Sequence, residues 1–415
     1  MREETYDVAL HGEHVGSIQR RDDFTKFVLD RGYWQRPRRS VLGLWFENHR
    51  RERPHAVNRV PAWFSNLLPE GRLRELIARE QGVSTFAEID LLARIGDDLP
   101  GAVTVTRAGK EGGAEGPGDT APGTPPHVRP RDPRPVDTGL WRASLAGMTL
   151  KFSMSRHGDR LVVPAHGGDG DWILKTPDRS YPDLPANELA VMRLAGSVGI
   201  DVPEARLWSR DDIDDLGPGA WTSEETRAYA VRRFDRSPGG RIHIEDFAQV
   251  LGRFGDGEWK YRSNVETVVG LAHRGRDRDS LREAVRRTAF NLLVGNGDAH
   301  LKNWSLIYPD RRRARLSPAY DLVCTAVHLP DPGNPALGLP FLGATRLADV
   351  GRGHFARLRD RLRVGDEDVL DVVDETCERF HGLWADGAAD RMPPPAAEWI
   401  GAHLEDTLNR LRGES

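Results

Sequence analysis

Between residues 108 and 139 the chain carries Pro117, Pro122, Pro125, Pro126, Pro130, Pro133 and Pro135 among Gly, Asp and Arg, with almost no large apolar side chain. Such a stretch cannot bury enough surface to offset its ordering entropy, and it is predicted to be a flexible linker. The chain is therefore expected to fold as a small unit, 1–107, ahead of a larger one. No internal repeat is visible.

Ahead of the linker, Tyr6-Asp7-Val8-Ala9-Leu10 followed by His11-Gly12-Glu13-His14-Val15-Gly16 reads as strand, turn, strand. A further apolar run at Val41-Leu42-Gly43-Leu44-Trp45-Phe46 suggests that these belong to a small sheet. From 60 to 80 the period changes: Trp63, Leu67, Leu68, Leu73 and Ile77 fall near helical spacing, and Pro69-Glu70-Gly71 divides the segment into two helices.

After the linker, strand-like runs at 149–153 and 171–174 precede a helix predicted over 186–198, and a second strand pair follows around 205–208 and 228–231. Sheet first and helices later is the α+β pattern, not βαβ alternation. In 280–294 the apolar positions Leu281, Val285, Thr288 or Ala289 and Leu292 give one buried helical face. That helix runs into Gly295-Asn296-Gly297, a good C-terminal stop, which sets the next residues on a loop with a rigid support.

The loop reads Gly295-Asn296-Gly297-Asp298-Ala299-His300-Leu301-Lys302-Asn303, and Tyr320-Asp321 follows downstream. Asn296-Gly297-Asp298 alone is an ordinary turn. The longer pattern supplies what phosphoryl transfer needs: Asp298 to orient a hydroxyl, Lys302 as a phosphate counter-charge, and oxygen ligands from Asn303 and Asp321 for Mg²⁺. A strand-like run from Trp304 to Tyr308 follows at once.

A kinase also needs a cation at the ATP phosphates. Lys175 ends the run Trp172-Ile173-Leu174-Lys175, and Glu188 opens the next helix where its carboxylate can pair with it, although each has a plainer reading as a solvated edge lysine and a first-turn acid. In Arg142-Ala143-Ser144-Leu145-Ala146-Gly147-Met148-Thr149-Leu150-Lys151, small residues precede a strand, where backbone amides can approach phosphates. Neither the Gly-x-x-x-x-Gly-Lys-Ser/Thr loop nor a Gly-x-Gly-x-x-Gly strand-to-helix turn occurs, which excludes P-loop and Rossmann readings.

Composition narrows the setting. With 38% hydrophobic residues in 415 the chain can build two or three packed units. Lys and Arg number 59 against 63 Asp and Glu, and the net charge of -4 makes no case for direct nucleic-acid binding. Only Cys324 and Cys377 occur, which suits a reducing cytosol, and neither a secretion signal nor a membrane span is expected. A cytoplasmic protein is predicted.

Taken in order, these motifs resemble the HipA toxin kinases of bacterial type II toxin–antitoxin modules. The resemblance runs through Ser144-Leu145-Ala146-Gly147 with Lys151, the lysine strand at 172–177, Asn187-Glu188, and Gly199-Ile200-Asp201-Val202-Pro203. It continues through Arg233-Phe234-Asp235-Arg236, 241–247, 297–303 and Tyr320-Asp321. Ahead of the linker, 63–71 and 91–102 resemble the family's N-terminal subdomain.

The resemblance implies an α+β, two-lobed kinase-like fold of the phosphoinositide-kinase-like branch, with a small N-terminal α/β subdomain (1–107), an N-lobe (140–236) and a helical C-lobe (237–415). It implies an ATP- and Mg²⁺-dependent protein serine/threonine kinase. Asp298 would be the catalytic base, with Asn303 and Asp321 holding the metal. Ala146, Gly147, Met148, Thr149, Leu150 and Lys151 would lie along the nucleotide with Lys175; Arg232, Arg233 and Phe234 would form the adenine hinge, and Asp235 would meet the ribose. His300, Lys302 and Tyr320 would complete that site.

Ser144 matches the family's autophosphorylated serine. A group of charge near -2 could not remain packed beside the ATP phosphates, so its modification would stop ATP binding. The implied partners are a protein substrate such as an aminoacyl-tRNA synthetase and a HipB-like helix-turn-helix antitoxin, with DNA reached only through the antitoxin and no membrane involved. Two positions depart from the family pattern: Arg232 stands where the hinge usually has Glu, and Thr149 where the loop often has Gln. A small-molecule kinase of the aminoglycoside or choline type is the alternative within the enzyme class, although those usually carry His before the base, where this chain has Gly297. A catalytically weak component of an antitoxin repressor complex is the alternative outside it.

Overall fold

A computed structural model describes residues 3–80, 82–109, 150–164, 169–217, 219–329 and 332–414. The predicted linker from 110 onward and the loop residues Ser144, Ala146, Gly147, Met148 and Thr149 lie outside the described residues.

The N-terminal unit is a five-stranded antiparallel sheet in the order His55–Val57, Phe24–Leu29, Glu13–Arg21, Glu3–Leu10, Val103–Arg107. Tyr6, Val8 and Leu10 alternate inward along the first strand, as a half-buried strand requires. The apolar run at 41–46 does not join this sheet, contrary to expectation. Leu44–Asn48 is a single helical turn, because the backbone N–H of Leu44 is taken by the Glu245 carboxylate at 2.9 Å and Phe46 packs among Phe27, Trp63 and Phe64. Pro69 does divide the following segment, into Ala62–Ser65 and Gly71–Glu80.

The second sheet has six strands in the order Ile213–Asp214, Arg160–Val162, Lys151–His157, Trp172–Lys175, Arg227–Arg232, Ala205–Ser209. Helix Leu184–Val198 packs beside it and ends at Gly199, whose φ of 103° lets its N–H reach back to Ala195 and Gly196. Beyond the hinge the chain is mostly helical. Helices Arg278–Leu293, Leu370–Ala385 and Pro394–Arg412 pack together, and a short antiparallel sheet of His243–Asp246, Ser305–Tyr308 and Arg315–Leu316 adjoins the 297–303 segment.

Two apolar cores organise these layers. One joins helices 184–198, 278–293 and 370–385. The other runs from Val8, Phe64 and Leu92 of the N-terminal unit to Phe152, Trp172 and Leu174 of the six-stranded sheet. The N-terminal unit therefore shares a core with the upper lobe, so it is part of the scaffold and not an appendage. Among the described residues, no helix is long and apolar enough to cross a membrane.

Candidate active site

Strand pairing sets Lys151 directly opposite Lys175. Both side chains turn to one carboxylate. Lys175 Nζ bonds Asp321 Oδ1 and also Glu188 Oε1, while Lys151 Nζ donates to Asp321 Oδ2 at 3.0 Å. The helix that carries Glu188 is locked to the Asp321 segment by its neighbour Asn187, which donates to Cys324 O at 3.0 Å and accepts from Cys324 N at 3.1 Å. Two ammonium groups thus face two carboxylates in a buried, water-poor position, where unpaired charge would be costly.

The charges respond to one another. Burial opposes ionisation of Asp321, but the ammonium groups of Lys151 and Lys175 overcome it and hold the carboxyl well below the usual range. Burial likewise opposes the charge on Lys175, and Asp321 with Glu188 reverses that, so the ammonium is retained. Lys151 is pushed down by burial, which its contact with Asp321 only partly offsets.

Asp298 sits on the loop after helix Arg278–Leu293. The loop is pinned by Gly297 N donating to Thr325 Oγ1 at 2.8 Å, Asp298 N to Asn296 Oδ1 at 3.1 Å, and Asn303 Nδ2 to Asp298 O at 2.9 Å. The Asp298 carboxylate remains about half-buried and accepts from the hydroxyl of Tyr261 at 2.7 Å. Asp298, Asn303, Asp321, Lys151, Lys175 and Glu188 all line one cleft of about 950 Å³.

A narrow slot of about 110 Å³ opens from the same lysines and Asp321, between Ile173, Pro203 and Val231 on one side and Ile244 and Tyr320 on the other. The Phe234 and Tyr320 rings lie 5.7 Å apart in it. Flat apolar walls leading to a lysine–carboxylate cluster suit a planar base joined to phosphates. A wider groove of about 1090 Å³ beside Arg59 and Phe86 lacks this cluster.

Several expected site residues also have partners outside the lysine–Asp321 cluster. Lys302 lines the slot with Lys151, Lys175 and Asp321, but its ammonium is held by the N-terminal unit, 2.9 Å from Glu70 Oε1 and 3.2 Å from Asn66 O. Its charge is matched there by Glu70. The Asp235 carboxylate also lines the slot and is engaged by Arg233, by Arg236 and by the N–H of Gly101 at 2.8 Å.

Arg233 is also turned into this network through Asp98 at 2.7 Å, while the Arg232 side chain is exposed. The side chain of Leu150 belongs to the core, and its carbonyl accepts from Thr176 N. His300 lines the cleft with Nε2 4.0 Å from Asp298 Oδ2, and burial lowers it to about 4, so it is neutral at neutral pH.

Two residues at the site had no marker in the sequence. Tyr261 and Glu70 belong to no local pattern of acid and base. Their roles follow from contacts with residues 37 and 232 positions away, Asp298 and Lys302 respectively.

Mg²⁺ keeps several waters and takes only one or two protein carboxylates beside substrate phosphates, so a full protein cage is not required. Among the described residues there is no cluster of three or more His, Cys, Asp or Glu fit for a metal. The present donors nevertheless fit such an ion: the Asp321 carboxylate, shared here by Lys151 and Lys175, lines the same cleft as the Asn303 amide, whose nitrogen is on Asp298 O and whose oxygen is left for a ligand.

A two-lobed α+β body with a buried Lys–Glu pair, a carboxylate at its tip and an Asp/Asn loop across the cleft defines a kinase. The chain belongs to the HipA family: residues 143–384, more than half of it, match the HipA-like C-terminal domain, and residues 6–106 match the HipA N-terminal domain. Y4dM of Sinorhizobium fredii, which bears a kinase designation, is 38% identical over 418 residues, covering 97% of this chain and 95% of that protein. The serine/threonine-protein kinase toxin HipA of Shewanella oneidensis is 28% identical over 300 residues, 64% of this chain and 63% of that one. A solved structure of a Shewanella oneidensis HipA, in a complex with HipB and operator DNA, shares the fold over 99% of this chain and 98% of that one, with a TM-score of 0.69 at 21% identity.

Proposed function

We propose that this protein is an ATP- and Mg²⁺-dependent protein serine/threonine kinase acting as a HipA-like toxin. The observation that carries the reading is the convergence of Lys175, Glu188 and Asp321 in the same cleft as Asp298 and Asn303. Lys175, fixed by Glu188, would hold the ATP phosphates, and the slot beside Phe234 and Tyr320 would take the base. Asp298 would orient and deprotonate the acceptor hydroxyl. Asn303 and Asp321 would hold Mg²⁺, which supplies charge neutralisation at the phosphates.

The acceptor is a protein serine or threonine hydroxyl, with a translation component such as an aminoacyl-tRNA synthetase as the class that growth arrest favours. Ser144 is the proposed site of inhibitory autophosphorylation. A HipB-like helix-turn-helix antitoxin is the proposed partner, and contact with DNA would run through it, in keeping with the net charge of -4.

Purified full-length protein incubated with Mg²⁺ and γ-labelled ATP should label itself at Ser144, and its expression should arrest growth. Asp298→Ala should abolish both. Absence of labelling in the wild type, or arrest that survives Asp298→Ala, would remove the proposal. Turnover on small hydroxylated compounds without any labelled protein would replace it with a small-molecule kinase.

A further inference from the structure

Tyr261 closes the helical turn Gly257–Tyr261, and its hydroxyl donates to Asp298 Oδ1 at 2.7 Å. Its ring meets His300 edge-on, with centroids 5.2 Å apart. The preceding residue, Lys260, is buried and bonded to Glu70 Oε2 at 3.1 Å, while Glu70 Oε1 lies 2.9 Å from Lys302. One carboxylate of the N-terminal unit therefore ties together two segments, 260–261 and 302–303, that flank Asp298.

This arrangement has a consequence for the base. A hydroxyl donating to one carboxylate oxygen limits rotation of that carboxylate. His300 is neutral and 4.0 Å from Oδ2, so it does not compete as a counter-ion. The other charged groups near Asp298 are Lys260 and Glu70, matched to each other; Lys151, Lys175 and Asp321, across the cleft, are engaged together. Oδ2 is then the oxygen open to the cleft.

We propose that Tyr261 is a positioning residue for phosphoryl transfer, holding Asp298 through Oδ1 so that Oδ2 receives the acceptor hydroxyl, with Glu70 setting Tyr261 through Lys260. The N-terminal unit is thereby a working part of the catalytic centre. This rests on the kinase reading above. In the step itself the acceptor oxygen bonds to the γ-phosphorus of ATP, the β–γ bridging bond breaks with its electron pair leaving on ADP, and the hydroxyl proton passes to Oδ2.

The test uses the full chain with Mg²⁺ and γ-labelled ATP, and follows the labelling rate constant at several ATP concentrations. Tyr261→Phe should lower the saturated rate constant about tenfold and leave the half-saturating ATP concentration unchanged. Glu70→Gln should lower the saturated rate constant by less, again without changing the half-saturating concentration. If Tyr261→Phe reproduces the wild-type rate while Asp298→Asn is inactive, the positioning role is overturned and the kinase reading stands. If Asp298→Asn remains active, the kinase reading itself fails. Should Tyr261→Phe not fold, Glu70→Gln decides the matter, and an unchanged saturated rate constant in that variant overturns the proposal.

Discussion

Glu70 and Lys302 form a buried ion pair, 2.9 Å from Oε1 to Nζ, across the boundary between the N-terminal unit and the 297–303 loop. Lys302 immediately precedes the proposed metal ligand Asn303, so the pair joins the position of that ligand to the docking of the whole N-terminal sheet. Lys260 meets the other oxygen of the same carboxylate.

The pair predicts an acid-dependent stability. Burial opposes ionisation of Glu70, and Lys302 with Lys260 overcomes it, lowering the carboxyl to about 2 from an ordinary 4.5. A depressed folded-state value adds stability above pH 4.5 that is lost as pH falls through 2. The shift corresponds to about 3 kcal/mol. Glu70→Gln should therefore be less stable than wild type by chemical denaturation at pH 7, with the gap closing toward pH 2.

Glu245 predicts the opposite slope. It accepts from Leu44 N, Trp63 Nε1 and the Tyr308 hydroxyl, yet burial raises it to about 7; burial raises its neighbour Asp246 to about 6. A raised acid binds its proton more tightly in the folded state, so stability falls as pH rises from about 4.5 to about 7 and then stays level. Glu245→Gln, which cannot titrate, should show a shallower fall in melting temperature between pH 5 and pH 8.

Lys175→Met should leave Glu188 without its bonded cation and Asp321 with Lys151 alone. Breaking a buried pair in this way typically costs about 3–5 kcal/mol. Nucleotide binding by calorimetry should be lost together with that stability. Glu188→Gln, which keeps the shape and a carbonyl acceptor, should weaken binding less and retain a higher melting temperature than Lys175→Met.

Arg233 is buried between Asp98 of the N-terminal unit and Asp235 of the hinge. Arg233→Ala should destabilise by about 3–5 kcal/mol for the same reason. The partner variant Asp98→Asn should not add its full cost in the double variant, because both remove one interaction. Additive costs in urea denaturation would show that the two side chains act independently.

Much of the site was legible in the sequence because its parts are local. The Asp298-to-Asn303 spacing follows from one loop, and the Lys175–Glu188 pair follows from a strand feeding the next helix 13 residues on. The helices around 186–198 and 280–294 were legible from periodicity, and their ends from Gly199 and Gly295. The run at 41–46 was misread as strand because apolar content alone does not reveal that Leu44 N–H meets a carboxylate 201 positions away.

The sequence by itself determined the kinase class and the order of its motifs, and it singled out Asp298, Asn303, Asp321, Lys175 and Glu188, which line one cleft. The tertiary structure decided how those charges are matched. It placed Lys151 and Lys175 on one Asp321 carboxylate, paired Lys302 with Glu70 and Asp235 with Arg233, and brought Tyr261 onto Asp298. The physical reason is that a buried charge takes the nearest opposite charge or donor in space, and packing of the N-terminal sheet against the upper lobe sets which one that is.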